Sequence, residues 1–395
     1  MRATTYSYSH PLVVNGIQQK DEKADEITRS LANDSKGKEI PTRLILHFDI
    51  NETILLGDEA GGDTRHESVN KMLAKSAFVQ LPPTSSSTSW EDTTQVTPTH
   101  WWDGQEIGKE TSTPPLYTGW EWPEGCCPYY RTSYKKISKS FVEHHGRKVY
   151  QGLLDECEAK LAESKSSKDH ILPALYQTLD QMMTNKTKQP FTVVFRTFGS
   201  DLPDIAEALT EFATGRHPDF PDTNYPTLCL SKECLYQGRW KETDSGNVYQ
   251  LWDYDGTKIV ASGDHAILKL LDTIPICGIQ DHYTHWARND CDPKAGKPVW
   301  VPRDPTNNTD VYDHHILFDD NIHNLAHDGI ACVRREQKDG SFETVDSNVM
   351  HKDYQGLNLI RVPTIEPVLN PNWFMEQVSK AQSKLQRQLK SNKTV

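Results

Sequence analysis

The stretch HFDINETILL (His47–Leu56) ends a short apolar run on an aspartate, Asp49, and follows it with Asn51 and Thr53. Far downstream, FTVVFRTFGSD (Phe191–Asp201) places Arg196, Thr197 and Ser200 after a second apolar run. HHILFDDN (His314–Asn321) ends a third on Asp319 and Asp320. A positioned carboxylate can act as a nucleophile. Hydroxyls can bond an oxyanion, and adjacent carboxylates offer hard oxygen donors of the kind Mg²⁺ prefers. Each cluster alone also reads as an ordinary turn or cap, since Asp and Ser favour both. Their recurrence at the polar ends of apolar runs is the informative feature, because open parallel sheets bind ligands at the carboxyl ends of their strands.

The elements that must position these residues follow from periodicity. Short apolar runs at 43–49, 191–195 and 314–319 predict buried strands. Helical spacing predicts a helix over about 65–78. Two more are predicted where Val149, Leu153, Leu154, Cys157 and Leu161 share a face, and where Leu172, Leu175, Leu179, Met182 and Met183 do. Another spans 201–213, with Asp201 as N-cap and Pro203 in its first turn. Residues 226–262 alternate as strands do, 263–273 read as helix and 330–350 as two strands. A terminal helix sets Phe374, Val378, Ala381, Leu385 and Leu389 on one face. Buried strands alternating with amphipathic helices indicate an α/β fold with a mostly parallel sheet.

Composition excludes several classes. The net charge is −12 and no Lys/Arg stripe overrides it, which argues against nucleic acid as partner. No run approaches the roughly 18 apolar residues of a membrane span. The opening MRATTYSYSHPLVVNG lacks the apolar core of a signal peptide. The eight cysteines include no CxxC pair, so reduced thiols in a cytoplasmic protein are expected. Residues 1–40 read as a mobile polar arm. Residues 80–100 are mostly Ser, Thr and Pro, yet Trp90, Trp101, Trp102, Trp120 and Trp122 fall in or just after them. These tryptophans are expected to pin a long insertion onto the domain, with a substrate-lining role as the alternative.

The order strand-Asp-x-x-x-Thr, strand-Thr, Lys, strand-Asp-Asp resembles the haloacid dehalogenase-like superfamily over residues 43–56, 191–201 and 297–321. The resemblance implies a Rossmann-like three-layer α/β/α core over 41–63 and 186–372. It implies a cap-position insertion over 64–185, leaving 373–395 as the terminal helix. It implies a Mg²⁺-dependent phosphohydrolase or phosphotransferase acting on a small phosphorylated substrate. Asp49 matches the nucleophile that forms an aspartyl-phosphate. Thr53 matches the hydroxyl closing the first motif. Thr197 matches the phosphate-binding hydroxyl, with Ser200 as the alternative. Lys297 matches the charge-neutralising lysine, with Lys294 and Lys269 as competitors. Asp319 and Asp320 match the metal-holding acids, joined by Asp49 and the Asn51 backbone carbonyl.

Asn51 departs from the pattern. Phosphatases of this superfamily carry an aspartate there, which protonates the leaving group and then activates water. An amide does neither, and that chemistry typically contributes 10²–10⁴-fold. Slow hydrolysis is therefore expected, or a catalytically inactive protein that binds a phosphorylated ligand or a protein partner. His323 stands near Asp319–Asp320 and is noted without a role. His282, His285 and Cys291 form a loose zinc-like pattern lacking a regularly spaced fourth ligand.

Overall fold

The apolar runs become strands because their aliphatic and aromatic residues fill both faces of a buried sheet. The computed structural model describes residues 39–56, 63–82, 93–112, 116–146, 150–164, 171–185, 189–244, 246–305, 310–325 and 329–392. Residues 1–38 of the expected polar arm, and residues 83–92 of the Ser/Thr/Pro run with Trp90, lie outside them. In chain order the main elements begin with β1 (Thr42–Asp49), α1 (Arg65–Ser76), β2 (Phe78–Gln80), β3 (Cys126–Pro128), α2 (Gln151–Glu163), α3 (Pro173–Thr184), β4 (Phe191–Thr197) and α4 (Leu202–Ala213). They continue with β5 (Leu235–Thr243), β6 (Gly246–Asp253), β7 (Ile259–Ser262), α5 (Asp264–Leu271), β8 (Ile276–Gln280), α6 (Tyr283–Arg288), β9 (Lys297–Val301) and β10 (Tyr312–Asp319). The last are β11 (Ala331–Glu336), β12 (Phe342–Thr344), α7 (Ser347–Tyr354), β13 (Leu359–Arg361), α8 (Ile365–Leu369) and α9 (Trp373–Asn392).

The fold is α/β. An eight-stranded sheet runs in the order β13-β10-β1-β4-β8-β5-β6-β7. The strands from β13 to β5 are parallel, and the β5-β6-β7 meander is antiparallel. The strands bearing Asp49, Thr197 and Asp319 are thus neighbours, β10-β1-β4. Connections leave β1 on one side toward β4 and return on the other at β10. This reversal opens the crevice at the strand ends where α/β proteins bind ligands.

Strand alternation decides what faces what. Leu44, Leu46 and Phe48 pack with Val193, Phe195, Ile316 and Phe318. They lie under α3, α4 and α9, through residues such as Leu179, Leu209 and Phe374. Phe48 is fully buried, with Phe318 stacked at 5.1 Å and Phe374 edge-on at 5.3 Å. Burying one such side chain contributes about 1.5–3 kcal/mol. Ile45 points the other way, to a second cluster with Val194, Trp300 and Cys332. His47 and Asp49 share its parity, so both are carried to that face.

The second face differs from an all-helical layer. It is covered by α5 and by a separate three-stranded sheet, β12-β11-β9. The reading of 330–350 as two strands also needs correcting at its end. Asp346 caps a helix through its bond from Asn348 N, so 347–350 begin α7. The insertion has its own core, in which Trp101 and Trp122 pack with Phe78, Tyr129 and Phe141. These two tryptophans therefore pin the insertion. No helix among the described residues is long and apolar enough to cross a membrane. All eight cysteines are free thiols.

Candidate active site

Asp49 is the last residue of β1, one step beyond the pair Phe48↔Phe318, so it stands beside Asp319 at the end of β10. The chain then turns sharply. Glu52 takes a left-handed conformation (φ 59°), which costs a non-glycine residue about 1–2 kcal/mol. Backbone bonds from Ile54 and Leu55 N to Ile50 O close the turn. The Glu52 carboxylate is held by Lys71 at 2.8 Å and by Lys75. The turn returns Thr53 under Asp49, where it donates to Asp49 Oδ2 (3.1 Å) and accepts from Asp320 N (3.1 Å). One buried hydroxyl thus ties β1 to the end of β10.

Lys297, the first residue of β9, reaches across from the small sheet. Its ammonium bonds Asp49 Oδ1 and, at 2.8 Å, Asp319 Oδ2. Phe198 lies 5.2 Å beneath it. Burial alone would push this ammonium down, but the Asp319 and Asp49 carboxylates outweigh it and hold it above its usual value. Burial pushes the Asp49 carboxyl above the carboxylate range. Lys297 opposes this, while Asp319 and Asp320 reinforce it. The competing lysines lie elsewhere. Lys269 is exposed on α5, and Lys294 is exposed and faces Asp346 at 3.6 Å.

Oxygen atoms of Asp49, Asp319 and Asp320 lie within 4.8 Å of one another, the one such cluster of three or more potential ligands among the described residues. Asp49 and Asp319, both buried, share the one Lys297 ammonium, while the partly exposed Asp320 pairs with Lys75, so the buried part keeps an excess of negative charge. Such a site demands a further cation or a proton. The all-oxygen donor set is of the kind that hard divalent ions take.

Thr197 ends β4, the neighbour of β1, within a hydrogen-bonded set of its own. It is fully buried, accepts from Gly199 N (2.8 Å) and donates to Asp201 Oδ2 (3.0 Å). The same oxygen accepts from Asn51 Nδ2 at 2.9 Å. A Cβ at Gly199 would lie 2.5 Å from that carboxylate, so a side chain here would displace it. Asp201 holds the N-cap position expected of it. It makes no cap bond, because its carboxylate is drawn to Asn51 and Thr197. Ser200 is exposed.

Arg196, beside Thr197, shares the face of Asp49. It is fully buried and forks onto Asp281 at 2.8 and 2.6 Å. Its third nitrogen donates to Pro298 O (3.0 Å), clamping β9 next to Lys297. Burial works against this guanidinium, but Asp281 more than compensates and raises it. His47 and His315 pair at 3.0 Å nearby, both pushed down by burial.

The remaining candidates are accounted for structurally. His323 is buried, accepts from Leu325 N and packs on Trp122. His282 accepts from Trp240 N, and its grouping with His285 and Cys291 does not converge as a ligand cluster among the described residues. Comparisons with protein-family models, with curated proteins and with solved structures find no match to this chain.

Proposed function

We propose that the chain is a haloacid dehalogenase-like phosphohydrolase or phosphotransferase with a Rossmann-like core, working with Mg²⁺ in the cytoplasm. The observation that carries this reading is the convergence of Asp49, Asp319, Asp320, Thr53 and Lys297 at neighbouring strand ends. Asp49, Asp319 and Asp320, with the Asn51 carbonyl, would hold the ion. When bound, it neutralises charge on phosphoryl oxygens. Asp49 attacks phosphorus. The ester P–O bond breaks as the Asp49 O–P bond forms, and the alkoxide leaves with a proton from solvent or a nearby acid. Water then attacks phosphorus, restoring the carboxylate and releasing phosphate. Lys297 spreads positive charge over nucleophile and phosphoryl group, while Thr53 fixes the carboxylate's orientation. Thr197, with Ser200 as the alternative, would bond phosphoryl oxygens. The free thiols suit a reducing compartment.

Asn51 replaces the proton-transferring aspartate, and the carboxylate nearest to it is Asp201, at 2.9 Å. This pairing favours a second reading, a weakly active or inactive protein that binds a phosphorylated ligand or a protein partner. A panel of phosphate monoesters with Mg²⁺ separates the two. The enzyme reading expects turnover of at least one ester by the wild type and none by Asp49→Ala. Equal rates in both proteins across the panel would leave only the binding reading.

A further inference from the structure

Beside the centre lies a cavity of about 50 Å³, walled by Lys75, Arg131, Asp320, Asn321 and Arg361 with Trp122 at its edge. Its cations come from distant parts of the chain. Lys75 is in the last turn of α1, Arg131 follows β3, and Arg361 ends β13, where it pairs in register with Asp319. Arg131 donates to Asn321 Oδ1 (2.7 Å) and lies over Trp122 at 5.3 Å. Arg361 lies over Phe78 at 5.6 Å and donates to Gly119 O. Among the described residues it has no carboxylate at ion-pair distance. Lys75 reaches Asp320 at 3.0 Å, but Asp320 also belongs to the acidic centre. Lys75 also holds Glu52, so the cavity sets Lys75, Arg131 and Arg361 beside Asp320, and the two guanidiniums are suited to gripping an oxyanion.

We propose that this cavity binds a second anionic group, carboxylate or phosphate, on the substrate whose phosphoryl group meets Asp49. The proposal rests on the phosphoryl-transfer reading and names its substrate class. The volume sets the size. A water needs roughly 10–15 Å³ on this measure, so there is room for one oxyanion. The strands set the reach. Arg361 is one strand from Asp319 and two from Asp49, and strands lie about 4.8 Å apart. The two anionic groups are therefore separated by roughly 5–10 Å, a linker of a few atoms.

The test compares glycerol phosphate, phosphoglycerate with its carboxylate at the far end, and propanediol bisphosphate, all with Mg²⁺. The wild type is expected to favour one doubly anionic ester over glycerol phosphate by roughly 10- to 100-fold in kcat/KM, mainly through KM. Which one wins tells carboxylate from phosphate. Arg361→Gln with Arg131→Gln should collapse the ratio toward one, and Arg361→Lys should restore part of it. Turnover without preference in the wild type overturns the pocket and leaves the phosphoryl-transfer reading standing. If no ester turns over, calorimetry with propanediol bisphosphate decides the pocket alone. Binding weakened at least tenfold in the glutamine variants supports it, and equal binding in folded variants overturns it. Thermal melts show which variants are folded.

Discussion

Under the phosphoryl-transfer reading, Lys297, Asn51 and Asp201 decide the chemistry. Lys297 contacts two of the three carboxylates, so its loss removes both charge neutralisation and the clamp between Asp49 and Asp319. Lys297→Met is expected to lower kcat about 10²–10³-fold, the range for losing one preorganised electrostatic group. Steady-state kinetics on the best ester checks this, and a change confined to KM would contradict it. Asn51→Asp is expected to raise hydrolysis by up to about 10²–10⁴-fold. No gain would mean that Asp201 already supplies the proton transfer, and Asp201→Asn should then lower the wild-type rate. Asp49, Asn51 and Asp319 could be read as a set because each closes or follows an apolar run. Asp201 was legible as the N-cap of α4, since an Asp just ahead of a first turn with Pro signals one. Only the fold reveals that Asn51, distant in sequence, competes for its carboxylate.

At the scale of elements, the site depends on docking a separate sheet against the main one, and Arg196 makes that joint. Its fork onto Asp281 and its bond to Pro298 O connect β4 to the segment after β8 and to β9. Arg196→Met leaves the Asp281 carboxylate buried without its cation. Breaking such a pair costs about 3–5 kcal/mol. Urea unfolding should show a loss of unfolding free energy of that size, and a loss under 1 kcal/mol would contradict the joint. The strands were legible because β1, β4 and β10 are apolar runs bounded by polar turns. Their adjacency was not, since nothing local records which strand pairs with which. Arg196 read as a polar strand end. Its burial follows from parity with Asp49, which needs the strand register to be known.

At the scale of the whole molecule, the insertion stands beside the ends of β10 and β13 and brings Lys75 and Arg131 to a charge cluster that no sequence window contains. The acidic centre beside it links stability, pH and metal. Burial holds the Asp49 carboxyl above its ordinary value in the folded state, with Asp319 and Asp320 adding to the shift and Lys297 opposing it. The folded protein then keeps a proton that the unfolded chain has released. This stabilising contribution is full below the unfolded value of about 4 and is lost as pH rises through the raised folded value. A metal needs the carboxylates deprotonated, so Mg²⁺ stabilisation should grow over the same interval. At 100 times its Kd the ion adds about 2.7 kcal/mol. Melting with and without Mg²⁺ should show a larger gap at mildly alkaline than at acidic pH, and an equal gap would contradict the linkage. The central claim is that Asp49 accepts a phosphoryl group. With an amide at Asn51, the second step lacks its base and the acyl-phosphate should persist. The most direct measurement is acid quenching after reaction with acetyl phosphate and Mg²⁺, followed by peptide mass analysis. The account predicts one added phosphoryl group on the peptide containing Asp49, absent in Asp49→Ala and shorter-lived in Asn51→Asp. No adduct in the wild type, or the same adduct in Asp49→Ala, would contradict it.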